Sequence, residues 1–217
     1  MSALSVPERV PPGEVQRYTF HERLCHWVTG ITYTYCLATG LAFYTPYLFW
    51  LAIVLGGGPT SRYWHPILGL GFFIAVLWMH AIWRGDLSIT AGDRQWLDKT
   101  EYYATNRDEL VPPSGRFNGG QKVFYWAMFY GAILLLLSGL VMWFPELIPA
   151  GARWVRGIAI VLHECAALIT IGAFIIHIYM GVFLVPGSLE GITVGHVPKA
   201  WARAHHRLWY DKVAPEK

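Results

Sequence analysis

The sequence predicts an all-α membrane protein: four transmembrane helices forming a bundle, with interfacial helices beside them. Three observations predict it. Of 217 residues, 54% are hydrophobic and 16% aromatic, with 11 tryptophans, which suits a polytopic membrane protein better than a soluble domain. Four segments are apolar enough to cross a hydrocarbon core, at about 26–44, 65–83, 123–144 and 157–185. Lys and Arg are segregated, 14 of the 17 lying in three of the five polar segments. The mean hydropathy is only +0.35 because those polar segments dilute the spans.

In chain order, residues 1–20 are polar and proline-containing and read as an irregular arm. No apolar run precedes Phe20, so the first span, from His26 to Tyr44, is expected to be uncleaved. TPYLFWLAIVLGGG is too short after Pro46 for a crossing and reads as a helix lying in the interface. The second span runs from about His65 to Trp83, with Pro66 expected in its first turn. Residues 84–119 are polar, with turn signals at Pro112-Pro113-Ser114-Gly115 and Asn118-Gly119-Gly120. Lys122 leads into the third span, Val123 to Phe144, and Pro145, Pro149 and Gly151 break the chain before the fourth. The basic, aromatic tail after Pro186-Gly187 reads as an interfacial helix or docking surface. The whole of 1–217 is expected to be one transmembrane domain with N- and C-terminal tails. The basic residues sit in the N-terminal arm, the 84–122 segment and the C-terminal tail, so all three are expected in the cytoplasm.

Ionisable groups are expensive within a span, so histidines there point to function. The fourth segment holds two, His163 and His177. Fourteen residues at about 100° each fall about 40° short of four turns, so the imidazoles share a face about 21 Å apart along the axis. Two metal centres, one above the other, are implied. By depth, His26 at the cytoplasmic end of the first span pairs with His177. His65 at the outer end of the second pairs with His163. Imidazole is a common iron ligand, and helix bundles build cofactor sites from facing helices. Two axial histidines leave iron no open position, which suits electron transfer. The residues four after these histidines are Gly30, Gly69, Ala167 and Gly181. A large side chain there would obstruct a macrocycle lying on the helix, although small residues also serve plain helix packing.

Other polar residues fit less well. His80, near the cytoplasmic end of the second span, could compete with His26, but its fourth neighbour is Arg84, and it could simply reach interfacial water. Glu164 beside His163 could bond a polar group at the outer centre or face a partner. Cys25, Cys36 and Cys165 give neither a disulfide framework nor zinc spacing, and Glu22 rules out a CxxCH haem attachment at His26.

The chain resembles the membrane cytochrome b (gamma) subunits of respiratory formate dehydrogenases. The resemblance covers about 20–212 and rests on FHERLCHW (20–27), YWHPILG (63–69), FNGGQK (117–122), LHECAALI (162–169), IHIYM (176–180) and WARAHHRLWY (201–210). It implies two haems b, an outer one on His65 and His163 and an inner one on His26 and His177. It also implies an electron-transfer subunit of a formate:quinone oxidoreductase complex in the bacterial inner membrane. An iron–sulfur (beta) subunit would deliver electrons from a molybdenum or tungsten catalytic (alpha) subunit, where formate is oxidised. A higher oligomer of that heterotrimer is compatible with it, and no nucleic acid is implicated. Membrane lipid surrounds the spans.

Quinone, menaquinone or ubiquinone, is the implied electron acceptor near the cytoplasmic face. Its reduction needs protons, so the site must touch both the terminal haem and a water-connected surface. Asn118, Gly120 and Gln121 enter the third span at the same face as His177, and a helix start offers free backbone N–H groups and a positive dipole end. The same residues also read as a turn and helix N-cap. The resemblance implies that this segment, with His177 and Met180, lines the quinone pocket. Other readings are the cytochrome b subunit of a hydrogenase or another molybdoenzyme, and a haem-free transporter using histidines as a relay. The transporter would need carboxylates among the histidines, and only Glu164 fits.

Overall fold

A computed structural model describes residues 9–105 and 107–214. Residues 1–8 of the expected irregular arm, and Lys217 of the basic tail, lie outside the described residues. In order come β1 (Glu14–Gln16), α1 (Phe20–Tyr44), α2 (Gly58–Trp83), α3 (Ala91–Leu97), α4 (Gly119–Trp143), α5 (Trp154–Ile178), β2 (His196–Pro198), α6 (Lys199–His205) and α7 (Arg207–Val213). Shorter helices lie at Trp50–Val54, Thr100–Ala104 and Ser188–Thr193.

Among the described residues, three helical segments are long and apolar enough to cross a membrane: Gly58–Asp86, Gly119–Trp143 and Ala150–Leu184. They contain the second expected span and overlap the third and fourth, each ending one residue short of it. α1 has 25 residues, enough for a crossing, but Thr29, Thr32, Thr34 and Thr39 make it more polar than the others.

The helix starts are written in the sequence. Thr19 and Glu22 form a reciprocal cap on α1, the Thr19 N–H donating to Glu22 at 2.8 Å. Thr90 and Asp93 do the same for α3, and Asn118 and Gln121 for α4. Proline placement differs from expectation. α2 begins at Gly58, so Pro59 takes the first turn and Pro66 lies in the helix interior. Gly56 and Gly57, with φ of +96° and +95°, make the turn that permits this earlier start. The segment expected as an interfacial helix holds only a 3₁₀ turn, Pro46–Leu48, and the five residues Trp50–Val54.

The arm is not wholly irregular. β1 pairs antiparallel with β2, Val15 opposite Val197. Nor is the tail a single free helix. Ala202, Trp209 and Tyr210 are buried with Val15 and Val197, so much of its apolar surface is spent on the arm. Long-range strand pairing of this kind leaves no local signal, because only three residues per strand take part.

The framework divides into two compact units. An apolar unit comprises 25–79 and 127–174. Its core takes Tyr33 from α1, Phe72 and Val76 from α2 and Ala132 from α4, with Phe174 of α5 packed against them. A polar unit comprises the residues up to 24, 80–126 and those from 175 on. There α5 gives way to π-helical geometry over Tyr179–Leu184, closed by the Val185 N–H on the Met180 carbonyl at 3.0 Å.

The polar unit is held by a buried charge network. Glu22 accepts from Arg116 at 2.6 Å and from the Trp83 indole at 2.7 Å. Arg17, 3% exposed, donates to the Arg116 carbonyl and lies over the Trp209 ring at 4.6 Å. His206, 1% exposed, is bonded through Nδ1 to the Gly115 carbonyl, so its Nε2 accepts from Arg17. Burial, with the Arg17 charge beside it, pushes His206 well below its ordinary pKa.

Candidate functional site

Within the apolar unit α2 and α5 bring His65 and His163 together, ring centroids 6.3 Å apart at 55°. Two metal–nitrogen bonds of about 2 Å, plus about 1 Å from each nitrogen to its ring centre, require about 6 Å. The separation therefore fits two imidazoles sharing one metal. Hydroxyls from the other two helices fix each ring. Thr39 Oγ1 lies 2.7 Å from His65 Nδ1, and Ser138 Oγ 3.0 Å from His163 Nδ1.

The direction of these bonds follows from the hydroxyl protons. Thr39 already donates to the Tyr35 carbonyl at 2.8 Å, and Ser138 to that of Leu134 at 2.6 Å. Each hydroxyl has one proton and must therefore accept from the imidazole. Nδ1 carries the hydrogen, and Nε2 keeps the lone pair that ligates a metal. The rings lie beside Gly40 and Gly139: a Cβ at these positions would stand 3.6 Å and 3.4 Å from the His65 and His163 Cε1 atoms, in ordinary van der Waals contact. Among the described residues no group of three or more His, Cys, Asp or Glu could hold a metal. Two imidazoles alone suit an iron whose equatorial ligands come from a macrocycle. Sequence reasoning found both histidines and missed their hydroxyl partners. Ser138 and Thr39 were legible only as polar residues in apolar runs.

His26 and His177 fall in different units, and their pairing rests on the sequence register. His26 sits in α1 against the edge of Trp27. His177 closes α5 and stacks on Phe124 of α4, centroids 4.4 Å apart and planes within 6°. A Cβ at Gly30 or at Gly181 would meet nothing within 4 Å. Contact with neighbouring helices thus does not explain these two glycines. His80 has a place that the sequence did not reveal, its Nδ1 2.7 Å from the Tyr125 hydroxyl. Glu164 is exposed.

The start of α4 is more crowded than its glycines suggest. Asn118 Oδ1 accepts the Gln121 N–H at 2.9 Å, and Gln121 Oε1 accepts the Asn118 N–H at 3.0 Å. A Cβ at Gly119 would stand 2.6 Å from the Asp93 carbonyl oxygen, and one at Gly120 would be 3.1 Å from Trp96. Both glycines admit α3. Next to them Lys122 is buried, donating to Asp93 at 2.7 Å and to the Ser88 carbonyl at 2.9 Å. Burial pushes the Asp93 carboxyl up, but bonds from Lys122 and Thr90 outweigh it and hold the pKa below its ordinary value. Met180 packs on the cluster of Trp96, Tyr103 and Val185. Gly120 thus adjoins Trp96, a member of the cluster on which Met180 packs, while Phe124, one turn beyond Gly120, carries His177. Trp96, Tyr103 and Phe124 were not singled out in the sequence, where aromatics at helical spacing carry no functional mark.

Apolar helices that place a metal-ready pair of imidazoles in their core define a membrane cytochrome b. The chain belongs to the prokaryotic cytochrome b561 family, whose model matches residues 17–193. It is 34% identical over 200 residues to the formate dehydrogenase cytochrome b556(fdo) subunit of Escherichia coli K12, covering 92% of this chain and 93% of that one. It is 30% identical to the nitrate-inducible cytochrome b556(Fdn) subunit from the same organism, covering 92% and 91%. The Haemophilus influenzae formate dehydrogenase cytochrome b556 subunit is also 30% identical, with 93% and 84% covered. The resemblance read from the motifs is therefore borne out across nearly the whole chain.

Proposed function

We propose that this chain is the membrane cytochrome b subunit of a formate dehydrogenase, passing electrons from an iron–sulfur subunit through two haems b to a quinone. The observation that carries the reading is the His65–His163 pair, 6.3 Å apart with both Nδ1 atoms held by hydroxyls. Haem b, when bound, supplies a one-electron centre with no site for oxygen. The chain's own residues do the rest. His65 and His163 hold the outer iron, and Thr39 and Ser138 fix their tautomer and aim. His26 and His177 hold the inner iron.

The surrounding architecture follows. α1 is the remaining span, first of the four in chain order, and 1–217 form one transmembrane domain. The hydroxyls of Thr29, Thr32, Thr34 and Thr39 all donate to carbonyls four residues back, at 2.7–2.8 Å, so these four hydroxyls are satisfied within the helix. The membrane is the bacterial inner membrane, with both termini and the 84–122 segment cytoplasmic. The partners are the iron–sulfur subunit and a molybdenum or tungsten subunit that oxidises formate, and the heterotrimer can assemble further. Menaquinone or ubiquinone binds at Asn118, Gly120, Gln121, His177 and Met180. Support comes from Trp96, which adjoins Gly120 and belongs to the cluster on which Met180 packs, and from Phe124, which carries His177 to the same helix.

A reduced-minus-oxidised spectrum with haem extraction tests the reading. Two non-covalent haems b per chain are expected. A ratio near one, or none, in intact membranes overturns the two-haem assignment.

A further inference from the structure

We propose that Arg62 binds a propionate carboxylate of the haem held by His65 and His163, in a cavity that opens beside the His65 ring. The proposal rests on the haem reading above and adds to that site a residue for the edge of the macrocycle. It lies wholly within the apolar unit.

Arg62 precedes His65 on α2 by one turn, so the two side chains share a face and Arg62 is the nearer to the helix start. A cavity of about 590 Å³ opens there, lined by Ala42, Phe43, Pro46, Phe49 and Arg62. That is a volume usual for a small-molecule site. It adjoins the imidazole pair through α1. Phe43 meets the His65 ring edge-on, centroids 5.6 Å apart. Ala42 follows by one turn Thr39, whose hydroxyl holds His65 Nδ1 at 2.7 Å. The wall is apolar except for Arg62, which brings its one charge.

The chain itself gives that charge no counterpart. Among the described residues none hydrogen-bonds or ion-pairs with Arg62, and the segment 45–64 contains no Asp or Glu. The position is also unfavourable for a cation. Arg62 lies close to the start of α2, where the helix dipole is positive and no acidic residue offsets it. It belongs to the segments in which Lys and Arg are scarce. Both costs ease if Arg62 faces a bound anion. Haem b is apolar across its ring and carries two carboxylates on one edge, so an apolar cavity with a single guanidinium matches that edge. The arginine fork takes a carboxylate through two parallel N–H···O bonds. A lipid phosphate carries the same kind of charge, but the place of the cavity against the His65 ring favours the haem.

The test uses the haem-loaded complex in membranes, with Arg62→Gln, Arg62→Lys and, as a control away from the cavity, Arg153→Gln. Each haem is followed by redox titration across pH and by its rate of loss to an apo-globin acceptor. Infrared difference spectra of haem carrying ¹³C in its propionate carboxyls read the carboxylates directly. In Arg62→Gln an uncompensated carboxylate stabilises ferric iron, so the potential of the His65–His163 haem should fall and vary more steeply with pH. That haem should be lost about fivefold faster, the size expected of a solvent-screened pair, and its carboxylate bands should shift. Arg62→Lys should recover most of the potential, and Arg153→Gln and the other haem should match wild type. An unchanged potential, loss rate and carboxylate spectrum in Arg62→Gln overturns the proposal and leaves the haem reading standing. Effects that disappear when anionic lipid is replaced by neutral phosphatidylcholine assign Arg62 to a lipid headgroup and also overturn it. Absence of haem on His65 and His163 in the wild type overturns the haem reading and the proposal together.

Discussion

The two units hold histidines by opposite means. In the apolar unit His65 and His163 stand among aliphatic and aromatic side chains, and each has one hydroxyl partner whose own proton is spent on backbone. Nothing in that arrangement is needed to close a helix end. In the polar unit His206 and Arg17 are buried deeper still, yet they bond to each other and to carbonyls that join arm, loop and tail. A buried histidine is thus a proposed ligand in one unit and a structural tie in the other. What separates them is the nitrogen left over: Nε2 is free for metal at His65 and His163, and is already bonded at His206.

The sharpest way to break this contrast is at the ligands. His65→Ala or His163→Ala should remove one haem of two and leave the other, as measured by extracted haem and low-temperature spectra. His206→Ala should keep both. Loss of a haem in the tail variant would erase the distinction. Next in size is the charge network of the polar unit. Glu22→Ala removes a cap, the Trp83 partner and the Arg116 partner together, and should cost about 3 kcal/mol in thermal unfolding. The haem on His65 and His163 should keep its spectrum below the transition, because that centre lies in the other unit.

How much of this was legible follows the same divide. In the apolar unit the sequence carried the site, because an ionisable residue in a span has few reasons to be there. The fourteen-residue spacing on α5 then fixed a shared face. The hydroxyl partners were not legible, since Thr39 and Ser138 bond their own helix as any buried Ser or Thr does. In the polar unit, by contrast, polar residues have many uses. Asn118, Gln121, Gly119 and Gly120 all have structural duties as caps or as clearance for α3, so their identity alone could not mark a pocket. Pro66 misled for a related reason. A proline signals a helix start only where no better one precedes it, and Pro59 did.

Smaller effects sharpen the comparison further. Thr39→Val or Ser138→Ala leaves the ligands in place but frees Nδ1, which should weaken haem binding about 10–100-fold and shift the potential of that haem alone. Haem transfer to an apo-globin acceptor reads the affinity. His206 predicts a pH effect confined to the polar unit. Its folded pKa lies well below the ordinary 6.5, so in acid the unfolded chain takes up a proton that the folded protein refuses. Stability should therefore fall as pH drops below 6.5, by at most about 1.4 kcal/mol per pH unit for one proton. His206→Gln should flatten that slope in a pH series of thermal unfolding, and an unchanged slope assigns it to other groups.

The smallest expected effect on stability discriminates most. Asn118 and Gln121 form a reciprocal cap, and full removal of such a cap costs about 1 kcal/mol. Asp serves as an N-cap as well as Asn, and Glu closes the capping box as well as Gln, so Asn118→Asp and Gln121→Glu should unfold within about 0.5 kcal/mol of wild type. Each replaces an amide that donates with a carboxylate that only accepts. If these residues act on the quinone, the variants should lose quinone reduction and inhibitor affinity while both haems remain and still accept electrons from the partner. If the residues are caps and nothing more, both variants will reduce quinone at the wild-type rate. Unchanged activity at unchanged stability would move the quinone pocket away from the start of α4 and leave that helix end with the same purely structural role as the Thr19–Glu22 cap on α1.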